Sequence, residues 1–521
     1  MFRTVDLVSE SFTSGQRLLE QRAISTRKTY GQFLTSPPVA RYMAGQLGDL
    51  PPACSILDPS LGSGVLLCAV IERLMERGAP AQVELHAYEI DPVLFRTAEA
   101  ILERACRLAA ERSVNIVLRL HQEDFVTAAL EVLQPSLFSR PTISPRTVDR
   151  IIANPPYFKL QSDDPRVTTS RDLIGAHTNI YTLFMALATR QLARDARGVF
   201  IIPRSFCSGA YFAPFRDSFA DQVEFERLHL FGSRDQNFDE VLQENVILTF
   251  KKRDDAQPGR EMIAISTSKN GADLDDSQVS DFPSALVVHR RARHLFYRLP
   301  VSEEDAVILR AFDTWTGSLH QYGMEVSTGR VVAFRAVEHM MSHQDSDGFP
   351  LLWMHHVKSG SVLHPLPRLN KPQWLRASAL SASLVVPSAN YVLLRRFSAK
   401  EEPRRLVAGS FLSAEFPGVA YVGFENHLNY VYRLGGVLSA AETLGLTSLF
   451  NSALYDRYFR ITNGNTQVNA AELRALPLPP LDIIRRIGEA GLARPSEDID
   501  HLVFSHLSAS GHIALGLTPT P

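Results

Sequence analysis

The sequence predicts a doubly wound α/β domain followed by a mixed α+β region, and three observations lead there. From about 51 to 255, short apolar runs alternate with amphipathic stretches of helical length, the pattern of helices layered on a mostly parallel sheet. Strand after strand in this stretch ends in a turn carrying glycine or a polar side chain, so ligand-binding groups collect at one edge. Between Lys251 and Pro300 charged and Gly/Asp/Ser-rich segments suggest a connection, and from about 301 to 480 short strands, turns and aromatic residues replace the regular alternation. The expected organisation is an N-terminal extension over 1–26, an α/β domain over 27–295, a second domain over 301–480 and a tail over 481–521. A chain of 521 residues has the length for two large domains.

Taken in order, Cys54 to Leu57 is the first strand, entering the turn Asp58-Pro59-Ser60-Leu61-Gly62-Ser63-Gly64 that opens the apolar helix Val65 to Arg77. Val83 to Tyr88 is the second strand, ending at Glu89-Ile90-Asp91-Pro92, with a helix from Pro92 to Ala110 behind it. Asn115 to Leu120 is the third and ends near Asp124-Phe125; Val148 to Ala153 is the fourth and runs into Asn154-Pro155-Pro156-Tyr157. After a polar insertion, Gln161 to His177, Thr178 caps a helix reaching Leu192. Gly198 to Pro203 is a fifth buried strand, and Glu226 to Phe231 and Asn245 to Phe250 read as the last two. One helix, Asp482 to Leu492, stands in the tail, and no internal repeat is present.

Composition bounds the function classes. The formal net charge of −2 is close to neutral, so a nucleic-acid surface requires local segregation of charge. Cys54, Cys68, Cys106 and Cys207 lack C-x-x-C spacing and a matching His pair, which argues against a zinc site or a disulfide framework; they read as reduced thiols of a cytosolic protein. Met1 to Gln16 mixes Arg3, Asp6 and Glu10 with Ser and Thr, unlike a signal peptide, and no apolar run has transmembrane length.

The tetrapeptide Asn154-Pro155-Pro156-Tyr157 carries the most chemistry. An exocyclic amino group on a nucleobase, or an amide nitrogen, delocalises its lone pair and is a poor nucleophile. If the Asn154 side-chain oxygen and the Pro155 carbonyl each accept one N–H, the nitrogen is drawn toward tetrahedral geometry and its lone pair is freed. Pro155 and Pro156 fix φ and remove backbone donors, and Tyr157 offers a face for a flat substrate. The plainer reading is a strand running into a Pro-rich turn with a packed Tyr.

The other strand ends fit a cofactor. Gly62 and Gly64 permit close approach, and a carboxylate after the second strand, Glu89, suits a ribose diol because each oxygen accepts one hydroxyl hydrogen. Asp58 at the start of the turn would repel a diphosphate, so an adenosyl cofactor bearing a cationic ammonium fits better. The turn lacks the full dinucleotide fingerprint.

In sequence order, Gly31-Gln32-Phe33-Leu34-Thr35-Ser36-Pro37, the Asp58–Gly64 turn, Glu89-Ile90-Asp91-Pro92, Asp124-Phe125 and Asn154-Pro155-Pro156-Tyr157 resemble the gamma-class S-adenosylmethionine-dependent adenine-N6 DNA methyltransferases. In that class the cofactor segment precedes the Gly turn and target recognition is C-terminal. The resemblance implies a Rossmann-like class I methyltransferase domain followed by a mixed α+β target-recognition domain. It implies that Thr35 and the turn (Asp58, Pro59, Ser60, Gly62, Gly64) hold the methionine end of S-adenosyl-L-methionine, with Glu89 on the ribose. Asp124 would take the adenine amino group, and Ile90 and Phe125 would sandwich the ring. The turn departs from the commonest form in having Leu61 between Ser60 and Gly62. Phe238, leading Phe238-Asp239-Glu240-Val241, resembles the aromatic residue that packs on the target base opposite Tyr157; read from the residues alone it is equally a core side chain. Val326–Arg330, Leu394–Phe397, His427–Tyr430 and Thr466–Asn469 resemble segments of type II modification methylases.

Residues 371–410 hold Lys371, Arg376, Arg395, Arg396, Lys400, Arg404 and Arg405 against Glu401 and Glu402, seven positive less two negative, or +5. Phosphate contact by Arg395 or Arg396 is one use of such segregation, and a solvated charged face is the other. The expected partner is double-stranded DNA, for a monomer without membrane attachment whose cognate restriction endonuclease would be separately encoded. Related chemistry on an RNA base or a protein glutamine amide is the alternative. A non-catalytic DNA-binding module is disfavoured because the strand-end residues are chemically competent, and a fused endonuclease because too little chain precedes Thr26.

Overall fold

The computed structural model describes residues 6–22, 33–77, 81–133, 147–175, 179–232, 245–254, 259–291, 294–343, 348–379, 381–397, 404–463, 467–493 and 498–513. The chain divides into two compact units, Met1–Val301 and Ser302–Pro521.

The first unit is built on a nine-stranded sheet. Its strands are β1 (Ala53–Asp58), β2 (Ala81–Tyr88), β3 (Val114–His121), β4 (Val148–Ala153), β5 (Leu192–Pro203), β6 (Val223–Phe231), β7 (Asn245–Lys252), β8 (Met262–Ser268) and β9 (Gln278–Pro283). They lie in the order β3-β2-β1-β4-β5-β7-β6-β8-β9. The strands from β3 to β5 are parallel neighbours, whereas β7 runs antiparallel to both β5 and β6. Strand order reverses direction between β1 and β4, which opens a crevice beyond their carboxyl ends. Parallel strands covered on both faces must be apolar throughout, and Ile56, Leu57, Ile151, Ile152, Val199 and Ile202 are all buried.

Helices cover the sheet: α1 (Leu7–Glu20), α2 (Pro37–Gln46), α3 (Val65–Arg77), α4 (Pro92–Ala110), α5 (Phe125–Leu133), α6 (Pro165–Thr169) and α7 (Ile180–Gln191). The α4 start follows from sequence: the Asp91 side chain accepts the Val93 and Leu94 amides, and Pro92 occupies the first turn. Its buried stripe, Leu94, Ala98, Ile101, Leu102, Ala105 and Ala109, has helical spacing. Within the stretch read as an extension, α1 packs on α3 and α4, burying Leu7, Val8, Ser11, Gly15 and Leu19.

Three expectations need correction. The region from Lys251 to Pro300 is not merely a connection: β8 and β9 extend the sheet there, and Val288–Arg291 pairs with His294–Tyr297 as a hairpin. Only β9 is an edge strand, burying little besides Phe282, so its composition resembles a loop; β8 is paired on both sides, to β6 and β9, and buries Ile263 and Ile265. The fifth strand also begins earlier, at Leu192 rather than Gly198. Asn179 caps α7, while Thr178 lies outside the described residues.

The second unit holds two five-stranded sheets. One has the order Met324–Thr328, Leu428–Arg433, Tyr391–Arg395, Ala408–Phe411, Gly360–Ser361; the other has the order Met340–Met341, Trp374–Leu375, Phe349–Leu352, Tyr421–Phe424, Val385–Pro387. Ser439 and Glu442 form a capping box at the start of helix Ala440–Asn451. Helix Leu481–Ala493, in the stretch read as a tail, packs on it and buries Ile483, Ile484 and Ile487. Glu442, itself buried, accepts from Arg433 at 2.7 Å and from Arg485 of that helix at 2.8 Å.

Candidate functional site

The carboxyl end of β1 delivers Asp58 into the crevice. Its carboxylate is fully buried; Oδ1 accepts the Ser60 amide at 3.0 Å, and Oδ2 has no partner among the described residues. Pro59 is buried beside it. The inserted Leu61 is an anchor: its side chain is buried and its N–H donates to the Tyr88 carbonyl at 2.8 Å, tying the turn to the end of β2. Gly62 and Gly64 then take φ of 57° and 90°, which L side chains rarely adopt.

Glu89 closes the turn from the neighbouring strand, accepting the Gly62 amide on Oε2 and the Asp91 amide on Oε1, each at 2.8 Å. Burial, relieved only in part by these amides, pushes Glu89 up to about 7. Asp58 is likewise raised to about 7, by burial first and then by the nearby Glu89 charge. Two desolvated carboxylates with lone pairs to spare face a crevice containing no side-chain cation that pairs with either among the described residues. The Ser60 hydroxyl, in the same turn, and the Ser36 hydroxyl are also buried without a partner among the described residues. Such a donor set suits a ligand that brings its own positive charge and hydroxyl groups.

The next strand end is more closed. Ile90 is 61% exposed, but Phe125 is 1% exposed, its ring 5.3 Å from Tyr88 and 5.5 Å from Phe184 between centroids. Asp124 caps α5, accepting Val126 N–H and Thr127 Oγ1–H at 3.0 Å each, and Arg166 of α6 stands 3.5 Å from its Oδ2. Arg166 is held in turn by Asp164 at 2.8 Å.

At the end of β4, one step across the sheet from β1, Asn154 is joined to the N-terminal segment. Its Nδ2 donates to the Phe33 carbonyl at 2.9 Å and to Thr35 Oγ1 at 3.0 Å. Its Oδ1 faces the Tyr157 hydroxyl at 2.8 Å, and that hydroxyl also lies 2.7 Å from the Ile201 carbonyl. Pro155 is buried, Pro156 half-buried, and the Tyr157 ring stands edge-on to Tyr181 at 6.1 Å. Burial holds the Tyr157 phenol far above its ordinary range, so it stays a neutral donor. The fold therefore brings Thr35, Asn154 and Tyr157 into one hydrogen-bonded set, joins Glu89 to Gly62 by a second bond, and places Asp58 near enough to Glu89 to feel its charge. Phe238 lies outside the described residues.

Several participants carry no signature of residue type. The Phe33 and Ile201 carbonyls are backbone groups. Ser11 Oγ of α1 donates to the Ser63 carbonyl at 2.6 Å, and Arg22 grips Asp91 with two bonds of 2.5 and 3.0 Å. The small pair Ser11 and Gly15, four residues apart on α1, was the one available signal.

In the second unit, Arg395 donates Nε and Nη2 to the Val357 carbonyl at 3.0 and 2.7 Å, and Arg396 donates Nη1 to the Asn426 carbonyl at 3.2 Å. Both are half-buried. Arg404 pairs with Asp500 at 2.6 Å, Arg405 is buried, and the Lys371 ammonium sits 4.4 Å above the Trp353 ring. Much of the +5 segment is thus engaged inside its own unit.

Residues 113–238 match the family described as Eco57I restriction-modification methylase. Over 455 residues the chain is 33% identical to the type II methyltransferase M.PstI of Providencia stuartii, covering 87% of each protein. It is 32% identical over 478 residues to the type II methyltransferase M.BsuBI of Bacillus subtilis, covering 91% of this chain and 92% of that protein. Among solved structures, the type IIL restriction-modification enzyme MmeI in complex with DNA has a similar fold, with a TM-score of 0.57 at 10% identity over 98% of this chain and 74% of that one. No helix among the described residues is long and apolar enough to cross a membrane. Because likenesses of this length cannot be confined to either compact unit, the whole chain belongs to the type II restriction-modification methyltransferases, and it is a site-specific DNA methyltransferase.

Proposed function

We propose that the methyl donor is S-adenosyl-L-methionine and that the acceptor is N6 of an adenine rotated out of duplex DNA. The observation that carries the acceptor half is the orientation of Asn154: both Nδ2 hydrogens are used on Phe33 and Thr35, so Oδ1 is the end left to accept from a substrate, with the Pro155 carbonyl assigned as the second acceptor. An amide oxygen has two lone pairs, and Tyr157 uses at most one, with the Ile201 carbonyl within its reach as an alternative. Oδ1 and the Pro155 carbonyl then accept the two N6 hydrogens, localising the nitrogen lone pair. The target atom is hidden in a base pair, so the nucleotide must leave the stack; the Tyr157 ring receives it, and Phe238 is assigned to the opposite face.

The donor half rests on the carboxylates. Asp58 accepts the cofactor ammonium and Glu89 its ribose hydroxyls through lone pairs the backbone amides leave over. Pro59, Ser60, Gly62 and Gly64 shape the turn around the methionine end, Ile90 and Phe125 sandwich the adenine ring, and Asp124 takes its amino group. S-adenosylmethionine supplies, when bound, an activated methyl on a sulfonium. Asn154 and Pro155 aim the amine at it, and the amine loses its proton once alkylated. We further assign residues 301–480, which make up most of the second unit, to target recognition, and assign to the chain a monomeric state, action on DNA in a prokaryotic cytoplasm and a separately encoded endonuclease of the same specificity.

The test is transfer of labelled methyl to unmethylated duplex DNA, followed by nucleoside analysis, with Asn154→Ala as control. Label in N6-methyladenine at one recurring sequence, lost by at least about a thousandfold in the variant, is expected. Label in N4-methylcytosine would overturn the base assignment. Transfer to RNA or to a protein glutamine amide, with DNA left unlabelled, would overturn the choice of acceptor.

A further inference from the structure

The Asn154 amide is gripped from behind by two acceptors of unequal kind. The Phe33 carbonyl only accepts, so it fixes which end of the amide is nitrogen. A single bond still leaves the amide plane free to turn about it. Thr35 Oγ1 takes the second N–H at 3.0 Å, and two acceptors on one NH2 group define the plane. Thr35 is buried, so an N–H deprived of this oxygen is left without a good partner. Thr35 is itself well placed: it precedes Ser36, the N-cap of α2, where Pro37 and Pro38 fix the backbone and Val39, Ala40 and Met43 are buried.

We propose that Thr35 is a positioning residue for methyl transfer, setting the plane of the Asn154 amide rather than holding the methionine end of the cofactor; this rests on the reading of Asn154 as acceptor of the N6 hydrogens. The nitrogen gains most from a well-aimed acceptor as it becomes tetrahedral, so misaiming Oδ1 weakens the transition state more than the bound substrate. The loss belongs in kcat, with KM for DNA and for cofactor little changed.

The experiment compares Thr35→Val, which keeps the shape and removes the acceptor, with Thr35→Ser, which restores it. Readouts are kcat at saturating substrates, cofactor Kd by calorimetry, and melting temperature. Thr35→Val should lower kcat by about ten- to a hundredfold with cofactor Kd within about twofold, and Thr35→Ser should recover most of the rate. A Thr35→Val enzyme that runs at wild-type kcat, or whose defect lies only in cofactor Kd, overturns the proposal. If Thr35→Val melts early, Thr35→Ser still decides: a folded Thr35→Ser enzyme with kcat as low as Asn154→Ala also overturns it. Asn154→Ala separates the two readings. An active Asn154→Ala enzyme refutes the acceptor assignment itself, whereas an inactive one beside a full-speed Thr35→Val refutes only the role of Thr35.

Discussion

Replacing Asp58 by Asn should make the ligand-free protein more stable and at the same time abolish cofactor binding. The Asp58 carboxyl is fully buried, keeps Oδ2 without a partner and is raised from 3.8 to about 7. A folded value above the unfolded one means the stability this group contributes is intact below about pH 4 and is lost as pH rises toward about 7. Each pKa unit corresponds to about 1.4 kcal/mol, so roughly three units amount to about 4 kcal/mol by neutral pH. Titration shared with Glu89, and the cost of burying the Asn amide, reduce the gain from substitution to about 2–4 kcal/mol. Thermal melts of both proteins at about pH 5 and about pH 8 should show a gap that widens with pH and reaches several degrees. S-adenosylmethionine at a hundred times its Kd should raise the wild-type melt by the equivalent of about 2.7 kcal/mol and leave Asp58→Asn unmoved. A variant less stable than wild type at the higher pH, or one that still binds cofactor with unchanged affinity, refutes the assignment of Asp58 as a strained carboxylate awaiting a cation.

Other perturbations address the surroundings. Gly15→Ala places a methyl 2.6 Å from both Leu34 Cδ1 and Ser63 Oγ, so despite the better helix propensity it should cost about 1–3 kcal/mol and weaken cofactor binding, read by melting and calorimetry. Unchanged cofactor affinity would mean that α1 does not support the turn. Charge reversal at Arg396, whose Nη1 donates to the Asn426 carbonyl, should weaken DNA binding and flatten its salt dependence by about one unit of slope. Arg395→Glu should also lower stability, because both bonds to Val357 are lost. An unaltered salt slope in both variants would remove these arginines from the DNA surface.

The parts of this fold legible in the sequence are those where burial imposes a pattern. β1, β2, β4 and β5 lie inside the sheet, and their apolar runs are plain; β3, at the sheet's other edge, still shows a half-buried alternation. β9 is hidden because an edge strand such as Gln278–Pro283 buries little besides Phe282; β8 does bury Ile263 and Ile265, but it is short and set among charged and Gly-rich segments. The site divides in the same way. Asp58, Glu89 and Asn154 stood out because their side chains do chemistry at strand ends, whereas the carbonyls of Phe33 and Ile201 have no residue-type signal. The basic segment shows the opposite failure: a local count gives +5, but Arg404 is paired with Asp500, which is 96 residues away in the chain and absent from that count. Local charge is visible in sequence, and its neutralisation across a fold is not.

The sheet register explains why the two halves of the reading fall on neighbouring strands. β1 and β4 pair in parallel with Ile56 opposite Arg150 and Leu57 opposite Ile151, so Asp58 falls level with Ile152. Asn154 lies two residues further on, which at strand spacing is about 7 Å beyond that level and about 5 Å across the sheet. Asp58 therefore sits deeper in the crevice than Asn154, an offset consistent in direction with the proposed reading, in which the methionine end of the cofactor lies by Asp58 and the acceptor nitrogen by Asn154. The same offset explains the need for the N-terminal segment. Asn154 has already left the ladder, which ends at Ala153, so no strand hydrogen bond fixes its side chain. Phe33 and Thr35 supply that constraint from outside the sheet. A shift of register by one residue would send the Asn154 side chain to the opposite face and separate it from both acceptors.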